Sequence, residues 1–261
     1  MTTDDVKQQY TDELVAYLQL FRGEGFLSPG GVADTAQALD GVEIDGREVL
    51  DLGCGLGGAD IILVRDYGAN TVVGIDVERS VLERAIATAR EHDLGHRIEY
   101  RRVNPGPLPL DGASFDIVFT KDVMVHIPDK LGLYGEIFRV LRPGGVFVGG
   151  DWLRDNPGPY SDAMRTFVEG TGLIFFMETL QSFEPALRQV GFVDIEIRDR
   201  NAWFAEEARR EMELLEGPLA QQVLQLRGRE ATDRSNQCQR DMIAVLDSGE
   251  FRPVHMRAHK P

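Results

Sequence analysis

Glycines at positions 53, 55, 57 and 58 follow a short apolar run, Val49-Leu50-Asp51-Leu52, and a helix begins at Ala59. A chain needs glycine where its backbone turns at positive φ, or where a ligand lies against it with no Cβ between. Strand, glycine loop and helix make the first half of a nucleotide-binding βαβ unit, with helix N–H groups aimed at the ligand. Thr71-Val72-Val73-Gly74-Ile75-Asp76 completes the unit as a second strand ending in an acid. A carboxylate at that position is placed to accept both hydroxyls of a ribose. Asp122 and His126 follow a later strand at the same end, where a second reactant belongs. With a reference pKa of ~6.5, an imidazole exchanges protons near neutrality, which makes His126 a candidate base. Glu169 is an acid among apolar neighbours. It reads either as a solvated residue or as a base or cation stabiliser.

The loop does not choose its nucleotide. Gly53, Gly55 and Gly58 satisfy the dinucleotide pattern G-x-G-x-x-G, with Asp76 as its acidic partner. Asp51-x-Gly53-x-Gly55-x-Gly57 also satisfies the form typical of S-adenosylmethionine (SAM) sites. The elements that position these residues alternate along the chain. A helical stripe of Val6, Tyr10, Leu14, Tyr17, Leu18 and Phe21 precedes the fold proper. Glycines 23, 25, 30 and 31 then make a bendable tether, so this helix reads as a lid or as plain packing. After the two strands already placed come a helix over 81–89, a strand near 98–103, and a nearly all-apolar strand over 115–120, which is therefore central. A helix carrying Tyr134, Ile137, Phe138 and Leu141 ends at Arg142-Pro143-Gly144-Gly145, and a fifth strand begins at Val146. This alternation predicts an α/β, doubly wound, largely parallel sheet with ligands at the carboxyl ends of its strands. From 155 to 182 the rhythm stops, as expected of a substrate cap. The boundaries read as a lid and hinge over 1–30, a nucleotide-binding core over 31–152, a cap over 153–182, and the rest of the core with added helices over 183–261. A strand near 251–257 carries Pro253, which places it at an edge.

At 261 residues the chain suits one α/β domain with an elaboration. A net charge of -15 argues against nucleic acid and against an anionic membrane as partners. Cys54 and Cys238 make no disulfide framework, and no metal-ligand set is assigned. No stretch approaches ~20 consecutive apolar residues, and the first residues are polar, so a cytoplasmic protein is expected.

In order and spacing, Asp51 to Gly58, Gly74-Ile75-Asp76, Ser114-Phe115-Asp116-Ile117-Val118 and Leu141 to Gly145 resemble the class I SAM-dependent methyltransferases. Gln9-Tyr10-Thr11, Phe26 to Gly31 and Lys121 to His126 are similar to the small-amine branch, typified by phosphoethanolamine and glycine/sarcosine N-methyltransferases. The likeness runs from Tyr10 to about Asp151. It implies a Rossmann-like seven-stranded sheet with one antiparallel strand, SAM as cofactor and a small-molecule acceptor, most readily an amine. It also implies that Leu27, Ser28, Asp51, Gly53, Gly55, Asp76, Val77, Asn104, Pro105 and Lys121 form the SAM site. Tyr10 would pair with His126 over the bound cofactor, and Asp122 would attract the substrate ammonium. Asn104 stands where the family usually has an aspartate accepting from the adenine amine.

The departure falls in the cap. Phosphobase enzymes surround the phosphate with Tyr, Arg and Lys, whereas Phe167 to Met177 here offers no fork-like cation. A more apolar acceptor is expected, with Phe175, Phe176 and Trp203 lining its pocket or simply packing the cap. O- or C-methylation of an apolar, isoprenoid-like or natural-product acceptor such as a prenyl diphosphate, with Glu169 or His126 as base, is the runner-up. A non-catalytic SAM-binding protein and an NAD-dependent dehydrogenase come after it. Whether the chain forms a homo-oligomer is left open.

Overall fold

The computed structural model describes residues 9–261, so Val6, the first residue of the expected helical stripe, lies outside the described residues. Helix α1 (Asp12–Arg22) starts at Thr11, whose hydroxyl accepts the Leu14 N–H, and ends at Gly23. Then follow α2 (Gly31–Ala38), β1 (Glu48–Leu52), α3 (Gly58–Arg65), β2 (Thr71–Asp76), α4 (Arg79–Glu91), β3 (Ile98–Arg102) and β4 (Phe115–Lys121). A short 3-10 turn, Met124–His126, precedes α5 (Lys130–Val140) and β5 (Leu141–Arg154). The chain continues as α6 (Asp162–Thr171), α7 (Leu180–Val190), β6 (Val193–Asp199), α8 (Asn201–Glu216), α9 (Ala220–Asp247, broken at Gly228) and β7 (Phe251–His259).

One seven-stranded sheet runs β3-β2-β1-β4-β5-β7-β6. The first five strands are parallel and β7 is antiparallel to both of its neighbours. Strands buried on both faces need apolar residues at consecutive positions. Val49 and Leu50, adjacent in β1, are both fully buried and join opposite layers. Leu50 packs with Tyr134 and Ile137 of α5 and Phe183 of α7, and Val49 with Ile61 and Leu63 of α3. The sheet order switches direction between β1 and β4, which places the ligand crevice at their carboxyl ends.

Strand β7 corrects the expectation of an edge strand. It lies between β5 and β6, and Pro253 pairs with Trp152 on the β5 side. On the other side β6 has ended at Asp199, opposite Val254, and Pro253 contributes only its carbonyl, which accepts the Arg200 N–H at 2.8 Å. Its missing N–H therefore deprives β6 of no ladder bond, and the edge is β6 itself.

The region expected to be a cap packs against a second, later stretch of chain. Met164 and Phe167 of α6 are buried against Phe204 and Ala208 of α8 and Met242 and Val245 of α9. Helix α1 docks on this assembly through Tyr17, Leu18 and Phe21 against Leu215 and Val223. Among the described residues, no helix is long and apolar enough to cross a membrane.

Candidate active site

The glycine loop is dictated by close approach. At Gly53 (φ 78°) a Cβ would fall 2.2 Å from Cγ2 of Val123, so the tip of β4 lies directly on the loop. At Gly57 (φ 79°), which opens α3, a Cβ would meet the Tyr100 hydroxyl at 2.2 Å. Beneath the loop, Asp51 and Asp60 are buried side by side. Burial pushes Asp60 up to about 7, and burial with the charge of Asp60 raises Asp51 well above the usual carboxylate range.

Asp76 closes β2. Its Oδ2 accepts the Gly55 N–H at 3.1 Å and its Oδ1 the Glu78 N–H at 2.9 Å. Burial raises its pKa, and those N–H bonds work the other way. The Val77 N–H bonds the same carboxylate. Glu78 in turn accepts the backbone N–H groups of Gln9 and Tyr10, at 3.2 and 3.1 Å, and so ties the segment before α1 to the end of β2. The Tyr10 phenol is pushed up to about 12, chiefly by burial and then by the negative charge of Asp76, so it stays protonated near neutrality.

At the end of β4 lies a buried ion network. Lys121 Nζ donates to Ser28 Oγ (3.0 Å), Pro29 O (2.9 Å) and Asp122 Oδ2 (2.9 Å), with Asp34 Oδ2 at 3.3 Å. Its three N–H bonds are thus committed within the protein, where the resemblance implies a cofactor contact. Burial alone would depress the Lys121 ammonium, but Asp122 and Asp34 outweigh it and hold its pKa above the ordinary value. His255 joins through its ring nitrogens. Arg198 donates to Nδ1 at 3.1 Å, so Nε2 carries the proton and donates to Asp34 Oδ1 at 2.8 Å. Breaking a buried pair of this kind strands its partners. Lys121→Met is expected to cost about 3 kcal/mol of stability, read from urea unfolding, against a near-zero change if the pair were a surface one.

Asp122 itself sits at φ 58°, the left-handed region, where a non-glycine residue is strained. His126 ends the 3-10 turn, with Nδ1 2.9 Å from the Ile174 carbonyl and its ring 5.3 Å from Phe175. A carbonyl only accepts, so Nδ1 carries the proton and Nε2 presents the lone pair. Burial lowers the pKa of this imidazole.

The remaining expected residues divide. Leu27 Cδ1 lies 3.5 Å from where a Cβ on Gly55 would stand, and Val77, Asn104 and Pro105 follow β2 and β3 at the same sheet end, the last two exposed. Phe175 is buried against Trp152 and Phe167 in the cap, while Phe176 is 42% exposed. Trp203 stacks on the Arg200 guanidinium at 4.5 Å and packs against Gly30. Glu169 is exposed on α6, turned away from the buried Met164 and Phe167. Sequence reasoning missed Asp34, Glu78 and Asp151. Asp151, 2% exposed near the end of β5, had a signal: an acid inside an apolar strand, as at Asp76.

A doubly wound sheet of this order, with a glycine loop after its first strand and an acid closing its second, is the class I methyltransferase fold, and the chain has that fold. Residues 44–167 match the family model described as "Methyltransferase domain", which sets aside the dinucleotide reading of the loop. A phosphoethanolamine N-methyltransferase of Triticum aestivum is 29% identical over 202 residues, covering 76% of this chain and 38% of that protein. A sterol 24-C-methyltransferase of Aspergillus fumigatus is 35% identical over 153 residues, covering 57% of this chain and 40% of that protein. The chain thus spans about two fifths of the length of these curated relatives. In three dimensions it is similar to phosphoethanolamine N-methyltransferase 2 of Haemonchus contortus in complex with phosphomonomethylethanolamine and S-adenosylhomocysteine (TM-score 0.90, 24% identity, 100% of this chain and 61% of that one).

Proposed function

We propose that this protein transfers the methyl group of SAM to the nitrogen of a small amine that carries no phosphate. The observation that carries the reading is Val123 seated on Gly53, with Asp122 just before it and the Met124–His126 turn just after it in the chain. The residues suit the cofactor: Gly53 and Gly55 offer backbone without a Cβ, and Asp76 is a buried carboxylate at a strand end. Asp76 would hold the ribose, Val77, Asn104 and Pro105 the adenine side, and Leu27 and Ser28 the lid side. When bound, SAM supplies an electrophilic methyl on a sulfonium.

The chain's own residues prepare the acceptor. Asp122 attracts an ammonium, and the Nε2 lone pair of His126 removes its proton so that the nitrogen arrives neutral. Tyr10, protonated, offers a hydrogen bond from the lid, and the docked α1 keeps water out. For a phosphate, the stretch Phe167 to Met177 offers no fork-like cation. The reading includes the cytoplasm as its setting, supported by two free cysteines.

The test is a panel of aliphatic and aromatic amines, phosphoethanolamine, phenols and prenyl diphosphates with methyl-labelled SAM. An unphosphorylated amine is expected to exceed phosphoethanolamine in kcat/KM by about tenfold or more, since each charge-assisted bond a phosphate fails to make is worth ~1.5–3 kcal/mol. Label on carbon of a prenyl acceptor would favour the second reading, which the sterol C-methyltransferase relative and the ring cluster of Phe175, Trp152 and Phe167 support.

A further inference from the structure

The turn Met124–His126 is only three residues long, yet it must hold an imidazole in one orientation. Its own hydrogen bonds, His126 N–H to Val123 O at 3.0 Å and Ile127 N–H to Met124 O at 2.9 Å, close the turn without fixing where it points. What fixes it comes from outside. Lys130, the first residue of α5, donates its ammonium to the Met124 carbonyl. The Asp151 carboxylate, at the end of β5, takes a hydrogen bond from the Val125 N–H and another from the Trp152 N–H, the latter at 2.7 Å. Phe176 N–H donates to the Val125 carbonyl at 2.7 Å, which joins the turn to the segment whose Ile174 carbonyl holds the imidazole. Methyl transfer gives neither Asp151 nor Lys130 any direct task. Ionisable groups held out of water are costly unless they are paired or used.

We propose, on the reading that His126 is the base, that Asp151 and Lys130 are positioning residues for it: gripping the turn by Val125 N–H and Met124 O, they set the height and tilt at which Nδ1 meets the Ile174 carbonyl. The pair also divides the charge at this end of the sheet. Burial and the neighbouring charge of Asp122 push Asp151 up to about 8. Burial lowers Lys130, against the pull of Asp151 and Glu178. Glu178 extends the same set, accepting from the Tyr134 hydroxyl, while its backbone carbonyl takes the Arg154 N–H at 2.9 Å. The turn is thereby held by α5, by β5 and by the segment leading to α7.

The experiment uses the full chain labelled with 15N-histidine, with the His126 signals assigned by their loss in H126N. In the wild type, Nδ1 is expected at the shift of a protonated nitrogen and Nε2 at that of a lone-pair nitrogen. Lys130→Met removes the donor to Met124, and Asp151→Asn keeps the shape of the carboxyl but exchanges an acceptor for a donor. In both, the His126 shifts are expected to move toward tautomer-averaged values. Both should also lose kcat, by about 10²-fold if the ring is displaced by ~1 Å, with the KM for SAM unchanged. Wild-type His126 shifts in a variant that still binds S-adenosylhomocysteine overturn the proposal. So does loss of that binding in both variants, which would make the pair a folding element. The imidazole signature needs no turnover, so a wild type that methylates no amine would sink the functional reading and leave this test standing.

Discussion

Asp76→Ala is expected to weaken S-adenosylhomocysteine binding by about 10²-fold or more. Two ribose hydroxyls would lose a charged acceptor, and each such hydrogen bond is worth ~1.5–3 kcal/mol, against 1.4 kcal/mol for a factor of ten. The loop suffers as well, because the Gly55 and Glu78 N–H groups, now 3.1 and 2.9 Å from the carboxylate, lose their acceptor. Asp76→Asn separates the two effects. Its amide keeps one accepting oxygen and turns a donor toward a backbone N–H, so an intermediate affinity is expected. The pH dependence has a definite sign. Burial raises the Asp76 pKa, so wild-type affinity should fall with decreasing pH earlier than an ordinary aspartate would dictate, and the alanine variant should lack that fall. Isothermal calorimetry reads both. An Asp76→Ala protein with wild-type affinity would mean that the sugar lies elsewhere.

The parts legible in the sequence are those set by local sterics and by burial on two faces. Gly53 and Gly57 could be read because only glycine tolerates their contacts, and β4 because a strand covered on both sides has few polar positions. Glu169 and Asp151 show where that reasoning stops. Both are acids beside apolar residues, yet on a helix a step of two residues from Phe167 turns Glu169 toward solvent, while in a covered strand Asp151 has nowhere to turn but inward. The place of β7 was hidden because an antiparallel strand returning from a long excursion is ordered by partners far away in the chain. The buried charges were hidden for the same reason: Asp34, Lys121 and His255 come from α2, β4 and β7 and meet only in the fold. Helices α8 and α9 bury few apolar positions each, so their packing with α6 emerges only when all three come together.

His126→Asn is expected to lower kcat by about 10³-fold, within the range by which a positioned general base accelerates a reaction. Asparagine is the informative replacement, because its amide N–H can still reach the Ile174 carbonyl that Nδ1 now contacts at 2.9 Å, while nothing replaces the Nε2 lone pair. Position is kept and basicity removed. Affinity for S-adenosylhomocysteine should be nearly unchanged, since the proposed reading assigns it to the glycine loop and Asp76. A second signature lies in the pH profile. Desolvation lowers the His126 pKa, so the neutral base persists below the usual imidazole midpoint of ~6.5, and wild-type kcat should hold its plateau through that pH and decline only further down. In the asparagine variant this acid limb should vanish along with most of the rate. The Ile174 carbonyl favours the charged imidazole and the nearby Lys130 disfavours it, so Lys130→Met should move the limb upward in pH. A His126→Asn enzyme that turns over at the wild-type rate would remove the imidazole from the chemistry and leave Asp122 as the nearest ionisable group on the acceptor side.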